Sequence, residues 1–63
     1  MKRSKLIKHL KEHNCEFSQH GGKHDLYVNR STGKETTMPR HNEVKRFTAR
    51  AICKQLGIPE KDR

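Results

Sequence analysis

The sequence predicts an α+β domain of order α-β-β-β-α, a three-stranded antiparallel sheet with two helices on one face. Apolar residues recur at helical spacing near the start and again after Pro39. Between those stretches the pattern shortens to alternating runs separated by glycine-bearing turns. At 63 residues the chain has room for one domain, 1–63, with one small core. A domain this short buries only roughly 60% of the surface its unfolded chain exposes, which excludes a deep catalytic cavity, a dinucleotide-binding fold and a barrel.

Ser4 is a candidate cap for the first helix, whose apolar positions Leu6, Ile7 and Leu10 share a stripe. Lys5, Lys8, Lys11 and Glu12 fill its outer face, and Asn14 suits the residue beyond its end. Residues 15–19 alternate, Cys15 and Phe17 against Glu16 and Ser18, as a short strand does. His20, Gly21 and Gly22 make a turn, with the glycines available for positive φ. A second strand covers 24–30 around Leu26, Tyr27 and Val28; a turn follows at 31–34 with Gly33 left-handed. The third strand, 35–38, is rich in Thr and is stopped or edged by Pro39. Val44, Phe47, Ala51, Ile52 and Leu56 then fit one helical stripe, with Gly57 as C-cap and Pro59 beyond. Thr48 is a candidate N-cap, which makes 43–47 a separate helical turn, and 60–63 reads as a frayed tail.

Lys and Arg number 15 against 7 Asp and Glu, a net charge of +8 before any of five histidines protonates. Such an excess favours a polyanion, because each neutralised phosphate releases condensed counterions. The charge is spread along the chain, which suits reading a nucleic-acid backbone better than reading bases. No apolar run exceeds three residues, so neither a membrane span nor a signal peptide is expected, and no helix has the aromatic face a membrane surface requires. Two cysteines, Cys15 and Cys53, are too few for a disulfide scaffold and point to a reducing, cytoplasmic setting.

Three segments resemble one family: the opening helix with Ser4 and Leu6 to Leu10; Gly22-Lys23-His24 followed by Leu26 and Tyr27; and Met38-Pro39-Arg40-His41 followed by Glu43-Val44-Lys45 and the run from Ala51 to Ile58. Together they resemble the HicA toxins of toxin–antitoxin pairs over nearly the whole chain. The resemblance implies a fold like that of double-stranded-RNA-binding domains and a toxin that cleaves mRNA without a metal or cofactor. It also implies inhibition by a HicB-type antitoxin. Many members carry a small polar residue between the Gly and the His, where this chain has Lys23, a substitution that keeps phosphate affinity.

RNA carries its own nucleophile, the 2′-OH, so a protein need only move protons and stabilise phosphoryl charge. Imidazole suits that task, with an unperturbed pKa of about 6.5. His24 stands where a glycine turn enters a strand, so rigid backbone positions it while bare backbone lets RNA approach. Alternation groups it with Leu26 and Val28 on the helix-covered side, where spacing alone favours a structural histidine at the core margin; the resemblance reverses that preference. Lys23 is a phosphate contact or a solvated turn lysine. Asp25 points away from His24 and does not serve it. Tyr27 reads as a packed strand residue before a base-stacking one. Arg40, Lys45 and Arg46 are candidate phosphate contacts near a helix N-terminus, and His41 either joins them or caps that helix. His9 and His13 have zinc-compatible spacing, but no set of four ligands accompanies them and no metal site is expected. The competing function is a non-catalytic double-stranded-RNA-binding module, which needs lysines but no histidine on the second strand. A DNA-binding regulator lacks its helix-turn-helix pattern.

Overall fold

The computed structural model describes residues 1–60; of the expected frayed tail, 61–63 lie outside the described residues. Five elements follow in order: α1 (Arg3–Glu12), β1 (Cys15–His20), β2 (His24–Asn29), β3 (Glu35–Pro39) and α2 (Arg46–Leu56). The strands form one antiparallel sheet in the order β1-β2-β3, so β2 is central. Helix α1 packs over β1 and α2 over β3, on the same face. The α-β-β-β-α architecture and its two-layer form are those expected of a double-stranded-RNA-binding-like domain.

The core lies between the layers: Leu6 and Leu10 from α1, Cys15, Tyr27 and Met38 from the sheet, Val44 from the loop, and Ala49, Ile52, Cys53 and Leu56 from α2. Burial pushes the Cys15 thiol up from its ordinary value, with Cys53 adding to the effect, so Cys15 packs as a neutral hydrophobe. Three buried polar residues share the sheet's inner face, and Thr36 of β3 donates from its hydroxyl to the Gln55 side-chain oxygen of α2. Asn29 donates from Nδ2 to the Leu56 carbonyl (2.7 Å) and accepts from the Ser31 amide (2.8 Å), which ties the end of α2 to the β2–β3 turn. Asp25 is the third, and it organises the opposite end of the sheet.

The inner face of β2 is therefore Asp25, Tyr27 and Asn29, while Leu26 and Val28 lie half-buried on the open face. This corrects the expected side of the strand. Leu26-Tyr27-Val28 is apolar on both faces, so alternation did not distinguish inside from outside, and the true inner residues were disguised by polar flanks.

Both helix starts also differ from expectation. An extended pairing between the first residues and the loop before α2 comes first: Lys2 bridges Glu43, the Val44 amide donates to the Met1 carbonyl (2.8 Å), and the Arg3 amide donates to the Asn42 carbonyl (2.8 Å). The chain turns helical directly from that pairing. Extended Lys2 and Lys45 thus stand at the N-caps without a side-chain cap bond, and Ser4 and Thr48 fall inside their helices. There is no separate helical turn over 43–47, because Glu43 bridges Lys2 and Lys45 is extended before α2 begins at Arg46. Val44, although buried, therefore does not set the phase of α2. Its buried line runs Ala49, Ile52, Cys53 and Leu56, which leaves Ala51 exposed and Phe47 68% exposed. The left-handed positions hold: Asn14 (φ 65°) and Gly57 (φ 71°) beyond the helix ends, and Gly33 (φ 80°) in the β2–β3 turn.

Leu56→Ala should accordingly cost about 2–5 kcal/mol, enough to unfold much of so small a domain. Phe47→Ala should stay within about 0.5 kcal/mol of the parent. Urea unfolding of both variants checks this, and equal losses would contradict the phase of α2.

Candidate active site

A β-bulge shapes the tip of the β1–β2 hairpin. The register runs Phe17 opposite Tyr27 and then skips Ser18 to place Gln19 opposite Leu26 and His20 opposite Asp25. The extra residue reverses the alternation of β1, as bulges do. His20 consequently turns to the inner side beside Asp25 instead of joining Glu16 on the open face.

Asp25, on the central strand, holds three cationic or protonatable partners with one carboxylate. Its Oδ1 takes Nδ1 of His20 (2.9 Å) and Nε of Arg40 (2.9 Å), while Oδ2 takes Nη2 of Arg3 (3.0 Å). Arg3 also donates from Nε to the Pro39 carbonyl (2.7 Å), joining α1 to the end of β3. Arg40 donates from Nη2 to the Gly21 carbonyl (2.9 Å) and from Nη1 to the Gly22 carbonyl (3.2 Å). The hydrogen bonds of His20 and then Arg40 lower the pKa of Asp25, more than its desolvation raises it. An ionised carboxylate only accepts, so Nδ1 of His20 carries a proton and Nε2 is the outward nitrogen.

Between His20 and His24 the loop is closed by the Gly21 amide donating to the His24 carbonyl (2.8 Å). Neither Gly21 nor Gly22 has positive φ, contrary to the expected reason for glycine here. Space is the reason at Gly21, where a Cβ would stand 2.7 Å from the His24 carbonyl oxygen, a backbone atom that cannot step aside.

His24 opens β2 opposite Pro39 and is exposed. It joins Thr36, Thr37 and Pro39 of β3 and Thr48, Ala51, Ile52 and Gln55 of α2 in lining a cleft of about 180 Å³. Lys23 and Arg40 stand one step further along the paired strands, drawn together by the Arg40 bonds to the glycine carbonyls, and exposed His41 follows. Arg40 thus spends three N–H groups, two on the loop carbonyls and one on Asp25, leaving two of its five uncommitted to these partners. Lys45, also exposed, lies over the Phe47 ring, 5.9 Å from its centroid. Arg46 turns elsewhere, lining a larger groove between α1 and α2 with Lys2, Lys5 and Arg50 over a floor of Leu6, Ala49 and Cys53. The six sequence-predicted residues therefore divide: Lys23 and His24 stand at the hairpin tip, Arg40 is bonded to its loop, exposed His41 follows Arg40 in the chain, Lys45 sits at the start of α2, and Arg46 faces a separate basic groove.

His9 is buried, with Nε2 2.7 Å from the Pro59 carbonyl oxygen and its ring 4.7 Å from that of His13. It fastens the C-terminal loop to α1. Among the described residues no group of three or more His, Cys, Asp or Glu is placed to hold a metal ion, and no helix is long and apolar enough to cross a membrane.

Sequence reasoning missed His20 and the role of Asp25, because the bulge at Ser18 left no mark on the apolar pattern. It also did not foresee that Thr36, Thr37 and Thr48 line the cleft beside His24.

The site geometry defines a small basic two-layer domain with an exposed histidine at a clamped glycine loop on its surface. The model of the HicA toxin of bacterial toxin–antitoxin systems matches residues 3–58, and the chain belongs to that family. Membership makes it the toxin member of a toxin–antitoxin partnership. Searches of curated proteins and of solved structures found no match.

Because the folded-state pKa of Asp25 lies below its unfolded value of about 3.9, its stabilisation is complete above that value and drains away as pH falls through the folded one. Thermal melts below about pH 4 should show the parent losing stability steeply and Asp25→Asn, less stable at neutral pH, losing less. Identical slopes would contradict the ionised anchor.

Proposed function

We propose that this toxin is an endoribonuclease that cuts mRNA in the cytoplasm, with His24 transferring a proton and the RNA 2′-OH as nucleophile. The exposed imidazole at the first residue of the central strand, beside a loop that Arg40 holds in place, is the observation that carries this reading. Lys23, His41 and the two uncommitted N–H groups of Arg40 supply phosphate contacts, and Lys45 extends the positive surface along the start of α2. Arg46 contributes from the α1–α2 groove to the field that draws RNA in rather than to the cleavage point. The chemistry asks for no cofactor, since proton transfer and charge stabilisation suffice for an internal nucleophile. A HicB-type antitoxin neutralises the protein by covering the hairpin tip with an acidic surface.

His24→Ala should abolish cleavage of labelled single-stranded RNA in EDTA, with a loss of about 10²–10⁴ in rate, while melting temperature and RNA binding stay near parental values. An exposed side chain contributes little packing, so fold and activity should separate. A folded variant that cuts at the parental rate would remove His24 from the chemistry. A parent that shifts RNA without cutting it would instead make the protein a binding module.

A further inference from the structure

We infer that His20 is a second proton-transfer group of the same site, held in position by Asp25. The inference rests on the ribonuclease reading above and adds a residue to it. Ser18 bulges out of the β1–β2 ladder, and that bulge alone brings His20 to the side of Asp25. The ring is fixed by the 2.9 Å contact from Nδ1 to Oδ1, and the Phe17 ring stands 4.9 Å from it. Yet the side chain is 75% exposed, so the constraint falls on one nitrogen and leaves Nε2 toward solvent. The charged groups around it are Asp25 of β2 directly, and Arg3 of α1 and Arg40 of the β3–α2 loop through the shared carboxylate. Two arginines already balance Asp25, so the charge of the anchor does not require His20. What His20 gains is a fixed tautomer and orientation.

Cleavage of RNA by its own 2′-OH requires two proton transfers. The 2′-O–P bond forms as the P–O5′ bond breaks; one proton leaves the 2′-OH and one arrives at O5′, giving a 2′,3′-cyclic phosphate and a free 5′-OH. The entering and leaving oxygens lie on opposite sides of phosphorus, roughly in line. His20 and His24 stand at the two ends of the Gly21-Gly22-Lys23 loop and on opposite faces of the strand pair. The intervening glycines present bare backbone, and Lys23 is the one side chain between them. With a carboxylate behind Nδ1, His20 suits the base: Nε2 accepts the 2′-OH proton and Asp25 stabilises the imidazolium formed. His24 gives its proton to O5′, and the two rings return to their starting states through solvent.

The test is a cleavage assay with the purified chain and labelled single-stranded RNA across pH. His20→Asn places an amide where Nδ1 was, keeping the bond to Asp25 while deleting Nε2. It should melt near the parent, cut about 10²–10⁴ more slowly, and lose the acidic limb of a bell-shaped kcat/KM profile. His20→Ala should regain rate on adding free imidazole. A His20→Asn protein that keeps parental rate and both limbs overturns the assignment while leaving the ribonuclease reading intact. Activity that falls only with the folded fraction, without imidazole rescue, overturns it also. A parent that leaves RNA whole overturns the ribonuclease reading itself and this inference with it.

Discussion

The Asp25 carboxylate is the constraint on which the site end of this molecule depends. It sits on the central strand with a 10% exposed side chain, and its two oxygens collect groups from α1, from β1 and from the loop before α2. Both arginine partners do a second job. Arg3 holds the end of β3 through the Pro39 carbonyl, and Arg40 holds the Gly21 and Gly22 carbonyls. Removing the carboxylate would leave two guanidinium groups without their anion and release three chain segments together. A buried charge of this kind is weak evidence for net stability, because desolvation offsets much of the attraction. Its value here is geometric: it fixes where the hairpin tip stands relative to the two helices.

That geometry explains how a domain with so little core presents a defined chemical surface. The conventional hydrophobic layer, from Leu6 to Leu56, sets the helices on the sheet. It says nothing about residues 21–23, which have no apolar side chain to bury. The loop is ordered by carbonyl acceptors instead, two taken by Arg40 and one at His24 taken by the Gly21 amide. The loop backbone therefore stays exposed without being left to wander. The hairpin tip and the α1–α2 groove each carry several of the basic residues, and α2 lies between the groove and the cleft beside His24.

Most of the architecture was legible in the sequence. Asn14, Gly33 and Gly57 announced their left-handed conformations, and Pro39 marked the end of an edge strand. Element order followed from the change in apolar period. The errors share one cause: local patterns were read without the long-range pairings that reset them. Val44 looked like the first turn of α2, but its amide and carbonyl are committed to Met1, so the helix phase drawn from it carried Phe47 inward. Asp25 and Asn29 looked like surface residues because their partners, Arg3, Arg40 and the Leu56 carbonyl, are distant in the chain. His24 was singled out through its motif and glycine context, and the proposal above builds on it. His20 was not, since a bulge at Ser18 inverts the alternation that would have placed it outside.

The account turns on whether Asp25 holds the hairpin tip, and the Gly21 amide reports this directly through its bond to the His24 carbonyl. Native-state hydrogen exchange can be measured at Gly21 in the parent and in Asp25→Asn at one pH, with Leu10 and Ile52 as references for global opening. The Gly21 amide should be protected in the parent and should lose protection in the variant by a larger factor than the two core amides. Loss of protection by the same factor at all three positions would contradict the central role of Asp25, because the tip would then be held by the fold as a whole.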